Sequence, residues 1–228
     1  MTDSQFDKIQ NGFFTPTQLL GNVNQQTFII NSLISKIQTA TIVKVESCTN
    51  SGGLSEVGYV NVLPLVNQVC SDDSSIPHTI IHNIPYFRLQ GGSNAIIIDP
   101  NAGDIGICVF SSRDISNVKK NKKQSNPGSY RQYNFADGLY IGGILNGTPT
   151  QYISFSSDGI KLNSSSKITI EAPNIALKGN VECTKGFTQN GTESSSFSGS
   201  LSISGINYST HKHNGVMNGD GNTGGPIS

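Results

Sequence analysis

The sequence has no tryptophan and few charged side chains. Aspartate, glutamate, lysine and arginine make up 13% of the 228 residues, whereas about 25% is usual in soluble domains. Because 15 basic side chains balance 15 acidic ones, no sequence-wide field attracts nucleic acid or an anionic membrane surface. We therefore predict that nucleic acid is not a partner.

Long apolar runs and paired cysteines are also missing. No stretch approaches the roughly 20 apolar residues of a membrane-spanning helix, and the N-terminus MTDSQFDKIQ lacks the basic start and apolar run of a secretory signal. We expect synthesis in the cytoplasm without a signal peptide. The cysteines contain no Cys-x-x-Cys pair, which favours reduced, buried thiols over a disulfide or zinc framework: Cys48, Cys70, Cys108 and Cys183.

Residues 1–38 are predicted to form an N-terminal helical segment. Thr15 stands where a helix cap is expected, and Pro16 stands in the first turn. Apolar residues then recur at steps of three and four, which places them on one stripe of a helix that ends near Gln38: Leu20, Val23, Thr27, Ile30, Ile34 and Ile37. The stripe fits either a helix lying on its own domain or a self-association seam.

From Thr39 the apolar period changes to two, which is typical of β-strands. Five segments separated by turn-forming residues show this alternation: TATIVKVESC, GYVNVLPLVNQV, HTIIHNIPYFRL, NAIIIDP and DIGICVFSSRD. Five short strands favour a closed barrel, because closure removes exposed strand edges. We predict an oligonucleotide/oligosaccharide-binding (OB)-like barrel over residues 39–116. Residues 117–150 follow as a connector, whose lysines between 119 and 123 lack interleaved aromatics and indicate a solvated loop.

From residue 151 the sequence becomes a ladder of very short strands and turns. Apolar pairs two residues apart recur at intervals of six to eight residues: Ile153/Phe155, Ile160/Leu162, Ile168/Ile170, Ile175/Leu177 and Val181/Cys183. Each apolar pair, called a rung below, has only two inward side chains, so a single copy cannot cover the apolar face of the ladder. Three chains wound about a common axis bury the pairs and leave Ser, Thr, Asn and Lys outside. We predict a trimeric β-helix shaft over residues 151–208; a single-chain β-helix is the alternative.

A histidine pair marks the predicted tip, residues 209–228. In an extended strand His211 and His213 point the same way, so three chains would bring six imidazole nitrogens to one point on a three-fold axis. Six nitrogens suit an octahedral transition ion such as iron, nickel or copper, and suit zinc least. The pair could instead be an incidental surface feature.

Two other metal sites receive less support from the residues. Asn218, Asp220 and Asn222 have the alternate spacing of a calcium loop, but the glycine and the terminal glutamate of such a loop are absent. His78 and His82 lack a neighbouring carboxylate or cysteine motif, so we expect them to be barrel or loop residues.

The stretch GDIGICVFSSRDIS, the Ser/Asn-rich ladder and the ending THKHNGVMNGDGNTGGP together resemble the small membrane-piercing central spike proteins of contractile-tailed phages, which are related in plan to type VI secretion spikes. The most specific part is His-x-His with the glycine-rich tail from Gly219 to Pro226. The resemblance implies an OB-like domain at the tail-tube end, a trimeric β-helical shaft, and one apical iron ion per trimer bound by His211 and His213 of each chain.

The expected fold is therefore mainly β, with an N-terminal helix and an OB-like barrel followed by an intertwined trimeric β-helical spike. The expected function is not enzymatic: a homotrimer in the virion, at the baseplate tip, joined through its barrel to a tail-tube or hub protein and driven through the host outer membrane. One alternative is a trimeric tail fibre or adhesin that recognises surface glycans. The other is an envelope-degrading hydrolase, although no catalytic carboxylate pair or triad is evident.

Overall fold

The computed structural model describes residues 21–70, 72–212, 215 and 219. The chain is mainly β, as predicted. It forms two compact units, Met1–Lys167 and Ile168–Ser228. Within the described ranges, no helix combines the length and the apolar character needed to cross a membrane.

The predicted N-terminal helix is present as α1, Asn22–Ile34. The proposed cap at Thr15, with Pro16 and Leu20, lies outside the described residues. The helix buries none of its described residues, and the apolar stripe faces solvent in the single chain: Val23, Ile30, Ile34 and Ile37 are all exposed. The apolar stripe of the described helix is therefore not packed on its own domain, which was one of the two expected placements.

A curled sheet of five antiparallel strands forms the centre of the first unit. Its strands are β1 (Ala40–Cys48), β2 (Tyr59–Pro64), β5 (Ile81–Pro85), β8 (Ile105–Phe110) and β9 (Gly138–Gly143), and they lie in the order β5-β2-β1-β8-β9. The two edges of the sheet meet at one parallel bridge between Tyr86 and Tyr140, where the amide of Phe87 donates to the Tyr140 carbonyl at 2.8 Å. The sheet is thereby curled into a half-barrel.

Four smaller hairpins complete the strands. They pair β3 (Gln68–Val69) with β4 (Ser75–Ile76), β6 (Leu89–Gly91) with β7 (Asn94–Ile96), β10 (Tyr152–Ser156) with β11 (Gly159–Asn163), and β12 (Ser202–Ile203) with β13 (Ile206–Asn207). A short helix α2 (Ser116–Asn121) and a 3-10 turn (Phe135–Asp137) lie between β8 and β9.

The core lies on the concave face of the curled sheet. Alternate residues of β1, β2 and β8 are buried, as the period of two requires. The buried apolar side chains are Val43, Val45, Val60, Val62, Ile84, Tyr86, Cys108, Phe110 and Tyr140. Gly106 makes room for the ring of Tyr140, since a Cβ on that glycine would stand 2.5 Å from ring atom Cε2 and 2.2 Å from the Gly142 carbonyl.

The fifth strand of the sheet differs from the one that the apolar pattern indicated. The segment NAIIIDP supplies β7, which pairs only with β6, whereas the sheet is completed by β9 from within the segment interpreted as a connector. The sequence DGLYIGG did not show the alternation of a strand because it is rich in glycine. Its buried face has a single large side chain, Tyr140, while Leu139 and Ile141 remain partly exposed.

An ion network with two buried carboxylates anchors the long loop between β8 and β9. Arg131 donates to Asp137 from Nε at 2.7 Å and from Nη2 at 2.9 Å, and Nη2 also reaches Asp114 at 2.9 Å. Asp114 accepts hydrogen bonds from the amide and hydroxyl of Ser116 and from the hydroxyl of Ser129. These bonds, those of Ser116 first, lower the pKa of Asp114 to about 2, so its carboxylate form is bound strongly in the folded loop.

Replacing Asp114 with Asn should lower the free energy of unfolding at neutral pH and flatten its decline in acid. Because the folded pKa of about 2 lies below the usual 3.8, the carboxylate stabilises the fold above about pH 4, and this contribution is lost as the pH falls towards 2. Urea unfolding of the wild type and the variant at pH 7, 4, 3 and 2 measures the difference.

The matched control is Asp158→Asn, in the exposed turn between β10 and β11. It removes a carboxylate of the same type outside the network and should leave the pH dependence of unfolding unchanged. Equal pH profiles for the wild type and Asp114→Asn would show that the network does not govern acid stability.

Candidate functional site

The hairpin β10–β11 gathers four apolar side chains on one face. Ile153 lies opposite Leu162, and Phe155 lies opposite Ile160, so both predicted pairs share a side of the hairpin. All four are exposed in the single chain, Phe155 to 77%. On the other face Lys161 Nζ lies 5.8 Å from the centre of the Tyr152 ring, so one face is apolar and uncovered while the other carries the polar contacts.

The next three predicted pairs belong to the second unit and are equally uncovered. Residues 164–201 contain no strand in the single chain. Their apolar side chains all face solvent: Ile168, Ile170, Ile175, Leu177 and Val181, with Cys183 beside them. This repeated apolar pattern is exposed in one chain, and its cover by two further chains stays a prediction.

The hairpin β12–β13 leads directly to the histidine pair. Ile203 lies opposite Ile206, and the backbone then turns so that the amide of His211 donates to the Asn207 carbonyl at 3.0 Å. The ring of His211 lies 5.9 Å from that of Tyr208. His211 is thus placed by a formed turn, whereas His213 lies outside the described residues.

One contact of His211 determines which of its ring nitrogens can act as a ligand. Nδ1 lies 2.8 Å from the carbonyl oxygen of Tyr208, and because a carbonyl only accepts, Nδ1 carries the proton in this contact. In the neutral ring, Nε2 then holds the lone pair that a metal needs. Histidine ligands commonly donate their second ring nitrogen to a carbonyl in this way, so the described geometry of His211 fits an imidazole ligand.

The other candidate metal residues are not brought together. Within the described ranges, no group of three His, Cys, Asp or Glu side chains is placed to hold a metal ion. His78 packs edge-on against Phe135 with ring centres 5.2 Å apart, and His82 lies exposed in β5. Asn218, Asp220 and Asn222 lie outside the described residues.

The lysine cluster and the cysteines have structural surroundings. Lys122 pairs with Glu56 at 2.7 Å on the surface, and Lys119 Nζ reaches the carbonyls of Asn83 and Ala136. All four cysteines are free, as predicted, but only Cys108 is fully buried and Cys183 is exposed. Burial raises the pKa of the Cys108 thiol to about 12, which makes it inert.

Sequence reasoning missed a second buried cluster beside the edge of the sheet. Arg88 Nη2 lies 2.5 Å from Asp99 Oδ1, and the Tyr86 hydroxyl donates to the same oxygen at 2.6 Å. The amide of Gly52 donates to Asp99 Oδ2, and Arg88 Nη1 donates to the Ser55 carbonyl. Burial opposes ionisation of Asp99, but the bonds from Tyr86 and Arg88 outweigh it and lower its pKa. No local motif marks this cluster, since its members are brought together only by the fold.

Two family models match the chain. The Phage protein Gp138 N-terminal domain matches residues 54–143, which include the half-barrel strands β2, β5, β8 and β9. The GpV Apex motif matches residues 205–226, which include both His211 and His213. No curated protein matches the chain. Together, the two family matches support a phage baseplate central spike protein family for this chain.

Proposed function

We propose that this phage tail or baseplate structural protein is a non-enzymatic homotrimeric spike that is pushed through the host outer membrane when the tail contracts. The two family matches support the baseplate role. The observation that carries the proposal is the uncovered apolar ladder between Ile153 and Ile206, because a rod made of three chains covers it and a single chain does not.

The trimer follows from how few inward residues each rung has. Each rung contributes two apolar side chains per chain, and in one copy all of them are exposed. Burying a single Ile or Leu side chain contributes roughly 1.5–3 kcal/mol. Three chains about one axis bury six such side chains per rung, whereas a free monomer would display an apolar stripe along its whole length. Within each of the hairpins β10–β11 and β12–β13, the apolar residues already lie opposite one another.

The proposed metal closes the tip of this rod. His211 and His213 of three chains would supply six imidazole nitrogens, and the Nδ1 contact of His211 with Tyr208 favours ligation through Nε2. Iron is the proposed ion, with one per trimer. Bound there, it would cross-link three chain ends that would otherwise fray under load.

The half-barrel is the proposed attachment to the tail. Its strand order β5-β2-β1-β8-β9, closed by a parallel bridge from Tyr86 to Tyr140, is consistent with a five-stranded OB-like barrel. Ion pairs with buried carboxylates, made by Arg131 and Arg88, hold the barrel loops in place, so these loops would present a fixed surface to a tube or hub protein. The barrel therefore anchors the spike, and the histidine end is distal.

The purified protein should be a trimer with three times the 24.3 kDa chain mass. Ile170→Asn should destabilise the trimer by roughly 2 kcal/mol per chain, because it places a polar amide at an inward position. Thr169→Asn, one residue away and predicted to face outward, is the matched control and should have little effect. Light scattering measures the mass of the assembly, and thermal unfolding measures its stability. A stable monomer in the wild type would contradict the shaft.

Metal analysis should find about one iron per three chains in protein prepared without chelator. His211→Ala combined with His213→Ala should abolish the metal and leave the trimer intact, since the rungs contribute most of the assembly energy. His82→Ala, an exposed histidine of β5, is the control and should retain the metal. If the wild-type protein contains no metal, the histidine pair is an incidental surface feature.

Electron microscopy of contracted particles on outer-membrane vesicles should show the spike end inside the vesicle. The double histidine variant should assemble into particles but penetrate fewer vesicles, because its tip is no longer cross-linked. Binding of the purified spike to surface polysaccharide without penetration would favour the adhesin alternative. Release of soluble fragments from purified peptidoglycan or polysaccharide would favour the hydrolase.

A further inference from the structure

The first unit leaves an apolar groove uncovered between the hairpin β6–β7 and the end of β9. Leu89 lies opposite Ile96 in this hairpin, and Phe87 and Ile98 line the same groove. All four are more than half exposed, Ile98 to 78%. The opposite wall is formed by Gly142, Gly143 and Asn146.

A second uncovered apolar surface in this unit has a different shape. Helix α1 carries the sequence NVNQQTFIINSLI, which contains no charged residue. Its stripe of Val23, Ile30 and Ile34 continues to Ile37, and Val23 is 74% exposed. A neutral apolar ridge and a neutral apolar groove therefore occur in the same chain.

The charges near the groove do not oppose a neutral occupant. Arg88 and Asp99 line it, but their side chains are almost fully buried and are paired with each other at 2.5 Å. Asp104, also in the lining, accepts a hydrogen bond from the Asn101 amide at 2.8 Å. Arg88 and Asp99 neutralise each other, and Asp104 keeps its hydrogen bond from the Asn101 amide, so an uncharged helix would meet mainly the apolar side chains of the lining.

The groove lies close along the chain to the proposed shaft. Its wall at Asn146 precedes the first shaft strand, β10, by six residues, which span at most about 20 Å when extended. If three chains join in the shaft, as the proposed function holds, their barrels are tethered side by side at high effective concentration. The nearest available occupant of each groove is then another copy of this chain.

Three-fold symmetry requires that such a contact join two different surfaces. A cyclic trimer uses a heterologous interface, in which one patch of each chain meets another patch of the next and the ring closes. We propose that in the trimer the apolar stripe of α1 of each chain lies in the groove between β6–β7 and β9 of its neighbour. This inference rests on the proposed trimer and assigns it a second contact, between the barrels.

Disulfide trapping in the full-length chain tests this contact. Ile34→Cys and Ile98→Cys are introduced together in a Cys183→Ser background, which removes the exposed native thiol. Mild oxidation should link chains into covalent dimers and trimers on non-reducing gels, and reduction should remove these species. Each single-cysteine variant should remain a single chain on the same gel.

The matched control pairs Gln25→Cys with Ile98→Cys. Gln25 is an exposed helix residue off the apolar stripe, so its links should be at least ten-fold less abundant. A disulfide within one chain, which migrates as a single 24.3 kDa chain, would overturn the proposal by placing α1 in its own groove. Absence of any specific link in a trimer would overturn it too.

A second variant separates this proposal from the trimer itself. For this test the cysteines are placed at Ile34→Cys and Leu89→Cys, a pair that should also link neighbouring chains. Adding Ile98→Asp places a carboxylate in the groove and should abolish these links. Light scattering should still give a trimer, because the shaft is unchanged. A monomeric wild type would defeat the proposed function, whereas a trimer whose Ile34→Cys/Leu89→Cys links survive Ile98→Asp would defeat only the helix-in-groove contact.

Discussion

The uncovered apolar ladder is the constraint on which the proposed assembly depends. Pairs such as Ile168/Ile170 and Ile175/Leu177 leave two apolar side chains per rung, and the single chain exposes them. Turn-forming residues between the pairs prevent the strands from lengthening into a sheet that could fold onto itself. The same shortage of cover extends to α1 and to the β6–β7 hairpin. Association between copies can therefore supply apolar burial that the individual chain lacks.

The half-barrel is held together within one chain by a small apolar core and two ion clusters. Its apolar core is small, and two ion clusters hold the long loops that the core does not reach. Arg131 with Asp114 and Asp137 holds the connection between β8 and β9, and Arg88 with Asp99 holds the loop after β1. Buried ion pairs contribute little net stability, but breaking one leaves a buried charge uncompensated and is costly. They consequently favour one loop arrangement, which would suit the proposed attachment of the barrel to a tube or hub protein.

Local periodicity accounts for what could be predicted. Alternation identified β1, β2 and β8, and the three- and four-residue steps identified α1. Strand β9 was not predicted because its buried face depends on Tyr140 among glycines. The clusters around Asp99 and Asp137 were not predicted because no spacing motif marks their members. At the histidine pair, spacing identified His211 and His213 as candidates, but only the structure could place the Tyr208 carbonyl against Nδ1. His213 lies outside the described residues, so its orientation stays a prediction.

A rod built on three-fold symmetry would gain stiffness without a large core, so low charge and small polar residues are compatible with the proposed piercing role. Each rung would repeat the same three-chain contact, so lateral load on one strand is shared with two others through backbone hydrogen bonds. The weak points are the two ends, where rungs have a neighbour on one side only. The histidine pair would close the distal end through a metal, and α1 in a neighbouring groove would close the proximal end through apolar burial. Both proposed contacts would join chains at the ends, where the ladder itself makes the fewest contacts.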